Sequence, residues 1–397
     1  MRVLTALSLL IVLSLVAHAG DWPQFLGPTR NGVSPETKLN LNWTATGPKL
    51  LWKVPMTDNG YAGPAVAGGK VFIIDHQKST DIVQAFDLAG GKPVWQFAYP
   101  DAEADNYGFS RSTPTVNDGK VYIIGRLGQV FCLDAAHGTK IWARNLLTEF
   151  HGNKPKWNYA MSALIDGDTV IVTPGGPNIV AALDKKTGKT LWQGGGSDTP
   201  GYATPTIATL NGVKQYLIFT ATGLVSVDAG TGARRWMFPW KTDYDVNAAT
   251  PQVAGNTVFI TSGYKHGCAL LTVKGNTVSA VWESKAIQSH FNTPIIVDGY
   301  IYGTSDPGKL VCLDLKTGHL IWEHPGFEKG GLVGVSGAII ALAGGNGELI
   351  AARLSPTGYT ELGRQKPLSG QSWTAPIIAN GKLLIRNKTT LACYELK

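Results

Sequence analysis

Seven residues carry the side chains best suited to hold a ligand: Tyr61, Arg111, Tyr159, Tyr202, Asn247, Asn292 and Trp373. Each stands a few residues before an apolar β-prone run, most often one opened by Pro. The loops that feed these segments add His151, Lys156, Asp243, Tyr244, Lys329 and Gln371. Flat π faces together with amide, ammonium and guanidinium donors suit a planar, carboxylated or sugar-like ligand, or a peptide segment. The plain alternative is that these rings fill space and hydrogen-bond to one another.

Other chemistry has thinner support. Asp101, Glu103 and Asp105 cluster carboxylates as a hard cation requires, but DAEAD lacks the Gly and further ligands of a cation loop, so no metal site is expected. His266 and Cys268 supply only two ligands at one locus. His151 and His290 have neither nucleophile nor carboxylate placed beside them by spacing, so no catalytic residue is assigned.

The elements that must position these residues are repeats. An Asp, a Gly four residues on and a Trp four further recur as Asp87/Gly91/Trp95, Asp134/Gly138/Trp142, Asp184/Gly188/Trp192, Asp228/Gly232/Trp236 and Asp314/Gly318/Trp322. Asp accepts from turn amides and Gly accepts positive φ, so each unit reads as a hairpin. Trp52 and Trp282 occupy the same slot without the full motif, and the seventh unit has Leu362 near it. Each indole hides roughly 200 Å², about 5 kcal/mol of gross apolar burial.

Eight further turns open eight units, at Gly68, Gly119, Gly167, Gly212, Gly255, Gly299, Gly337 and Gly381, whereas the second hairpin occurs seven times. The last unit stops one strand short at Lys397, and Lys49–Val54 (KLLWKV) supplies that strand. The reading is an all-β, eight-bladed β-propeller of four-stranded antiparallel blades over residues 49–397, its ring closed by the N-terminal strand. Residues 20–48 form an N-terminal arm rich in Pro, Gly and Asn, which Trp22 and Phe25 pin to the body.

Residues 1–19 read as a cleaved signal peptide: Arg2, an apolar run over Leu4–Val16, then Ala17-His18-Ala19. No Cys follows that site to carry a lipid, and no later run is long enough to span a membrane, so the mature chain is expected in the periplasm or secreted. The net charge of +7 comes from Lys and Arg scattered through turns, which argues against nucleic-acid binding. Cys132, Cys312 and Cys393 occupy equivalent repeat positions where other units carry Ala or Ser, so buried free thiols are expected.

The spacing small residue, x, Asp, x3, Gly, x3, Trp resembles the repeat of the pyrroloquinoline quinone (PQQ) dehydrogenase superfamily, over nearly the whole mature chain. The resemblance implies that Trp52, Trp95, Trp142, Trp192, Trp236, Trp282 and Trp322 dock neighbouring blades. That superfamily also holds non-enzymatic eight-bladed members such as BamB, the outer-membrane assembly lipoprotein. Its alcohol-dehydrogenase members use a vicinal Cys pair, a calcium ion on Glu and Asn, and an Asp base. This sequence has no vicinal Cys pair and no placeable set of that kind. The resemblance therefore implies a monomeric, non-catalytic binding or scaffold propeller for a protein segment or small ligand in the cell envelope, with no cofactor. The alternative is a PQQ-dependent dehydrogenase of reduced design, holding PQQ with calcium through Arg111 and Asn247 and stacking it on Trp373.

Overall fold

The computed structural model describes residues 20–43, 47–104 and 107–397; the signal-peptide reading and Asp105 lie outside them. Eight antiparallel sheets follow one another round a ring. Seven are built from four consecutive strands, as in blade 1 with Ala65–Ala67, Lys70–Gln77, Thr80–Asp87 and Pro93–Pro100. The eighth takes Ile377–Ala379, Lys382–Arg386 and Thr390–Glu395 from the C-terminus and its outer strand, Lys49–Pro55, from the N-terminus. That pairing runs from Lys49 opposite Glu395 to Pro55 opposite Thr390, so both chain ends share one sheet. Within a blade the middle strands are apolar on both faces because neighbouring blades cover them; Val121, Ile123, Cys132 and Leu133 are fully buried.

The motif turns work as their residues imply. The Asp314 carboxylate accepts the Thr317 amide and hydroxyl, and the Gly318 amide returns to the Asp314 carbonyl. The turn glycines also receive the indole of the preceding blade. A Cβ on Gly91, Gly138, Gly188, Gly232 or Gly318 would lie 2.4–2.8 Å from the ring of Trp52, Trp95, Trp142, Trp192 or Trp282. Trp52, Trp95, Trp142, Trp282 and Trp322 donate their indole N–H to backbone carbonyls of the next blade at 2.9–3.1 Å. Trp236 differs: its N–H goes to Gln215 Oε1 in its own blade. The facing turn of blade 5 is the two-residue Gly275-Asn276 and has no Asp-x-x-x-Gly loop to receive it.

The seventh blade departs from the rule as expected. Gly363, next to Leu362, holds the register position that Trp fills elsewhere, opposite Ala351. The arm places a Trp of its own against that position. Trp43 is buried, its Cβ lies 2.6 Å from where a Gly363 Cβ would be, and its amide donates to the Leu362 carbonyl.

The arm does more than pack on the surface. Val33–Ser34 adds a fifth, parallel strand to the inner edge of blade 7, opposite Gly334 and Val335. Trp22 bridges the innermost strand of blade 1 at Val66, the Pro23 carbonyl accepts the Val116 amide of blade 2, and Arg30 reaches the Ile165 carbonyl of blade 3. The arm therefore crosses the central channel, meeting the ends of inner strands on both sides.

Candidate functional site

The innermost strands run beside the channel with side chains alternating toward and away from its axis. The residues three before the Pro position face inward in every blade: Tyr61, Arg111, Ala160, Tyr202, Ala248, Phe291, Lys329 and Trp373 all line one cavity of ≈ 350 Å³. Its floor is the arm, through Trp22, Phe25, Leu26 and Gly32. The result is a cup, closed at the end where the inner strands finish and rimmed by rings where they begin.

The same alternation separates two expected ligand residues from the rest. Tyr159 is one position out of phase; it is buried between blades, with its hydroxyl donating to the Pro174 carbonyl at 2.6 Å. Ala160 faces the cup in its place. Asn247 is fully buried, donating to the Thr220 and Trp240 carbonyls and accepting from Ser262; Ala248 faces the cup. Tyr61, Arg111, Tyr202, Asn292 and Trp373 do come together. Asn292 donates its side-chain amide to the Lys329 carbonyl at 2.6 Å. Among the cup residues not singled out from sequence are Tyr107, Tyr264 and the waist hydroxyls of Thr113, Ser162, Thr204 and Thr293. The Thr before Pro114, Pro205 and Pro294, with Ser162 before Ala163, was the signal for that waist.

Ring contacts run round the rim. Tyr61 stacks on Trp373 at 5.0 Å, and Trp373 continues to Phe291, His290, Tyr264, Tyr244 and Trp157. Trp157 then touches both Tyr107 and Tyr202. Lys156 lies over Trp157 at 5.0 Å, Lys329 over Trp373 at 5.7 Å and Lys388 over Tyr61 at 5.8 Å. Tyr107, Tyr244, Tyr264 and Lys329 all hold positive φ, between 41° and 66°. Left-handed backbone at a non-Gly residue costs roughly 1 kcal/mol, and such strain concentrates at working surfaces. Burial pushes the Tyr202 hydroxyl up to about 12 despite the nearby Arg111 charge, so it stays protonated at neutral pH.

A second polar cluster lies away from the cup. His76, Asp81 and Asp101 have ligand atoms within 4.8 Å of one another and are all buried. Their atoms are already engaged: Arg126 grips both oxygens of Asp101 at 2.6 and 2.7 Å, and His76 bonds Asp81 through Nδ1 and the Lys78 carbonyl through Nε2. A guanidinium in the cluster repels a cation, so the group reads as an internal clamp. Glu103 pairs with Lys154 instead of joining it.

The chemistry of the cup does not fit PQQ with calcium. Among the described residues no carboxylate lines the cavity, and its charged groups are Arg111 and Lys329. Asp306, close by, is held by His290, and Asp245 by Lys241. A flat quinone also needs two parallel faces held apart; the stacked pair at the rim, Tyr61 and Trp373, is closed on itself.

Comparison with known proteins bears on fold and family. A family model described as "Outer membrane protein assembly factor BamB" matches residues 39–153 and 79–324, well over half of the chain. The BamB of Shewanella oneidensis is 27% identical over 250 residues, 58% of this chain and 60% of that protein, so the match spans less than two thirds of that relative. The crystal structure of BamB from Moraxella catarrhalis superposes with a TM-score of 0.66 at 20% identity, covering 89% of this chain and 98% of that one. A europium-containing methanol dehydrogenase gives 0.73 at 13% identity, covering 95% and 98%. Both superpositions speak to fold alone. With the repeat spacing, the eight closed blades and the family match in hand, the chain belongs to the PQQ-like repeat propellers of the BamB family.

Proposed function

We propose that this chain is an exported, non-catalytic binding propeller of the cell envelope that engages its partner or ligand at the ringed mouth of the cup. The observation that carries this reading is the rim itself: a chain of aromatic contacts flanked by three lysines, with four of its residues held in left-handed backbone. Membership of the BamB family and the reading of residues 1–19 as a signal peptide support an envelope location. The relatives named assembly factors make a protein segment one occupant; the cup's size makes a small ligand the other. The ring is closed on itself by Lys49–Pro55, and the reading takes a single chain as the binding unit.

The test is site-specific photo-crosslinking in cells that export the protein. A photoreactive residue at position 244, whose native Tyr is exposed on the rim, should capture a discrete envelope component, protein or glycan. The same residue at position 191, exposed on an outer strand, should not. Equal yields at both positions, or none at 244, would sink the mouth as the working surface.

A further inference from the structure

We propose that the cup binds the terminal residue of an acidic glycan, a single carboxylated sugar ring entering carboxylate-first. This rests on the mouth being the working surface and adds the class of ligand.

The waist of the cup is rich in donors. Ser162 Oγ accepts the Thr113 amide at 2.9 Å, Thr204 Oγ1 the Ser162 amide at 3.0 Å and Thr293 Oγ1 the Thr250 amide at 3.0 Å. Tyr202 accepts the Trp157 amide in the same way at 3.3 Å. A hydroxyl that accepts from an amide keeps its own proton to donate. None of these four hydroxyls donates to a protein acceptor among the described residues. Arg111, whose guanidinium also donates to the Gly108 carbonyl at 3.0 Å, and Lys329 line the same cup from blades 2 and 7. The Lys329 ammonium makes no ion pair among the described residues and lies over Trp373. Hydroxyl protons, a guanidinium and an ammonium converging on one space call for an acceptor-only, negatively charged group, and a carboxylate is that group. The described carboxylates near the mouth are already paired, Asp306 with His290 and Asp245 with Lys241.

The shape selects the rest of the ligand. From Trp373 round to Tyr107 successive rings are inclined at 44–84°, tilted or edge to face. Rings so inclined enclose a round space, whereas a flat aromatic acid needs a slot. A puckered pyranose ring is round, with apolar C–H faces for the aromatics and hydroxyls for the rim. A volume of ≈ 350 Å³ is at the small end for ligand sites and takes little more than one ring. The arm floor prevents threading, so a chain enters by its end.

The experiment is calorimetry on the mature protein with D-galacturonate, tetragalacturonate, D-galactose and benzene-1,3,5-tricarboxylate. Saturable one-to-one binding of galacturonate, with galactose at least about tenfold weaker, is expected. Tetragalacturonate should bind at least as tightly, also one to one, if a glycan end is the natural source; if only the monomer binds, the glycan source is overturned. Arg111→Gln and Lys329→Gln should each weaken galacturonate about tenfold and leave galactose unchanged; Lys329 is on the rim, where loss of folding is not expected. Equal affinity for galactose and galacturonate overturns the carboxylate. Tighter binding of the tricarboxylate overturns the sugar. No binding of any probe at about 10 mM overturns the proposal, while capture at position 244 would still report a working mouth.

Discussion

Trp43 shows how one side chain repairs a repeat. Blade 7 has Gly363 where other blades carry an indole, and Trp43 of the arm, 320 residues earlier in sequence, lies with its Cβ and backbone against that glycine. Trp43 belongs to the same buried cluster as Trp52, Ala351 and Leu384, so removing it leaves a cavity the surrounding strands cannot close. Trp43→Ala is expected to cost about 3–5 kcal/mol, read as a lower denaturant midpoint at unchanged slope. A cost near that of an exposed substitution would show that the arm is not part of the cooperative fold. The sequence displayed Leu362 in the neighbourhood of the slot but not the replacement. A contact between an arm and a strand that the fold alone brings together leaves no spacing signal.

The Asp-x-x-x-Gly hairpin is the element that joins blades, and its carboxylates link stability to pH. Asp184 is held below the ordinary carboxylate range by the Thr187 hydroxyl and amide, Asp314 by the Thr317 hydroxyl and amide, and Asp134 chiefly by the His137 amide. A folded value below the unfolded one stabilises fully above the unfolded value, near 3.8, and that contribution is lost as pH falls through the lowered folded values. The urea midpoint should therefore fall between about pH 4 and about pH 2, and Asp314→Asn, which keeps an acceptor oxygen but does not titrate, should flatten that fall. Glu103 and Glu361, also lowered by cationic partners, add to the wild-type slope, so the difference between variant and wild type is the quantity to read. An unchanged slope in the variant would remove these turns from the acid response. Turn chemistry of this kind was legible from sequence because donors and acceptor lie within four residues.

Closure makes the ring one object, and its four thiols report on it. Cys132, Cys268, Cys312 and Cys393 are free, fully buried and set in blades 2, 5, 6 and 8. Burial raises them to about 11 or 12, so they are neither exposed nor ionised at pH 8. No thiol should react while the ring stays closed, so at that pH all four sites should label only through global opening, at one common rate. Faster labelling of Cys393 would mean that the seam between Lys49–Pro55 and Thr390–Glu395 opens first.

The repeat count, the turn chemistry and the missing outer strand were all in the sequence, because each depends on residues close together or on arithmetic over identical units. Tyr61, Arg111, Tyr202 and Trp373 could likewise be found by position, since each stands three residues before its Pro; Asn292, one position out of that phase, lines the cup all the same. Their out-of-phase neighbours Tyr159 and Asn247 could not be excluded without the strand phase: one residue's shift turns a side chain from the cup into the space between blades. The floor of the cup, the seating of Trp43 against Gly363 and the inclined order of the rim were decided only in three dimensions. There the arm crosses a channel whose walls come from eight separate stretches of chain, and nothing local in any one of them encodes what lies opposite.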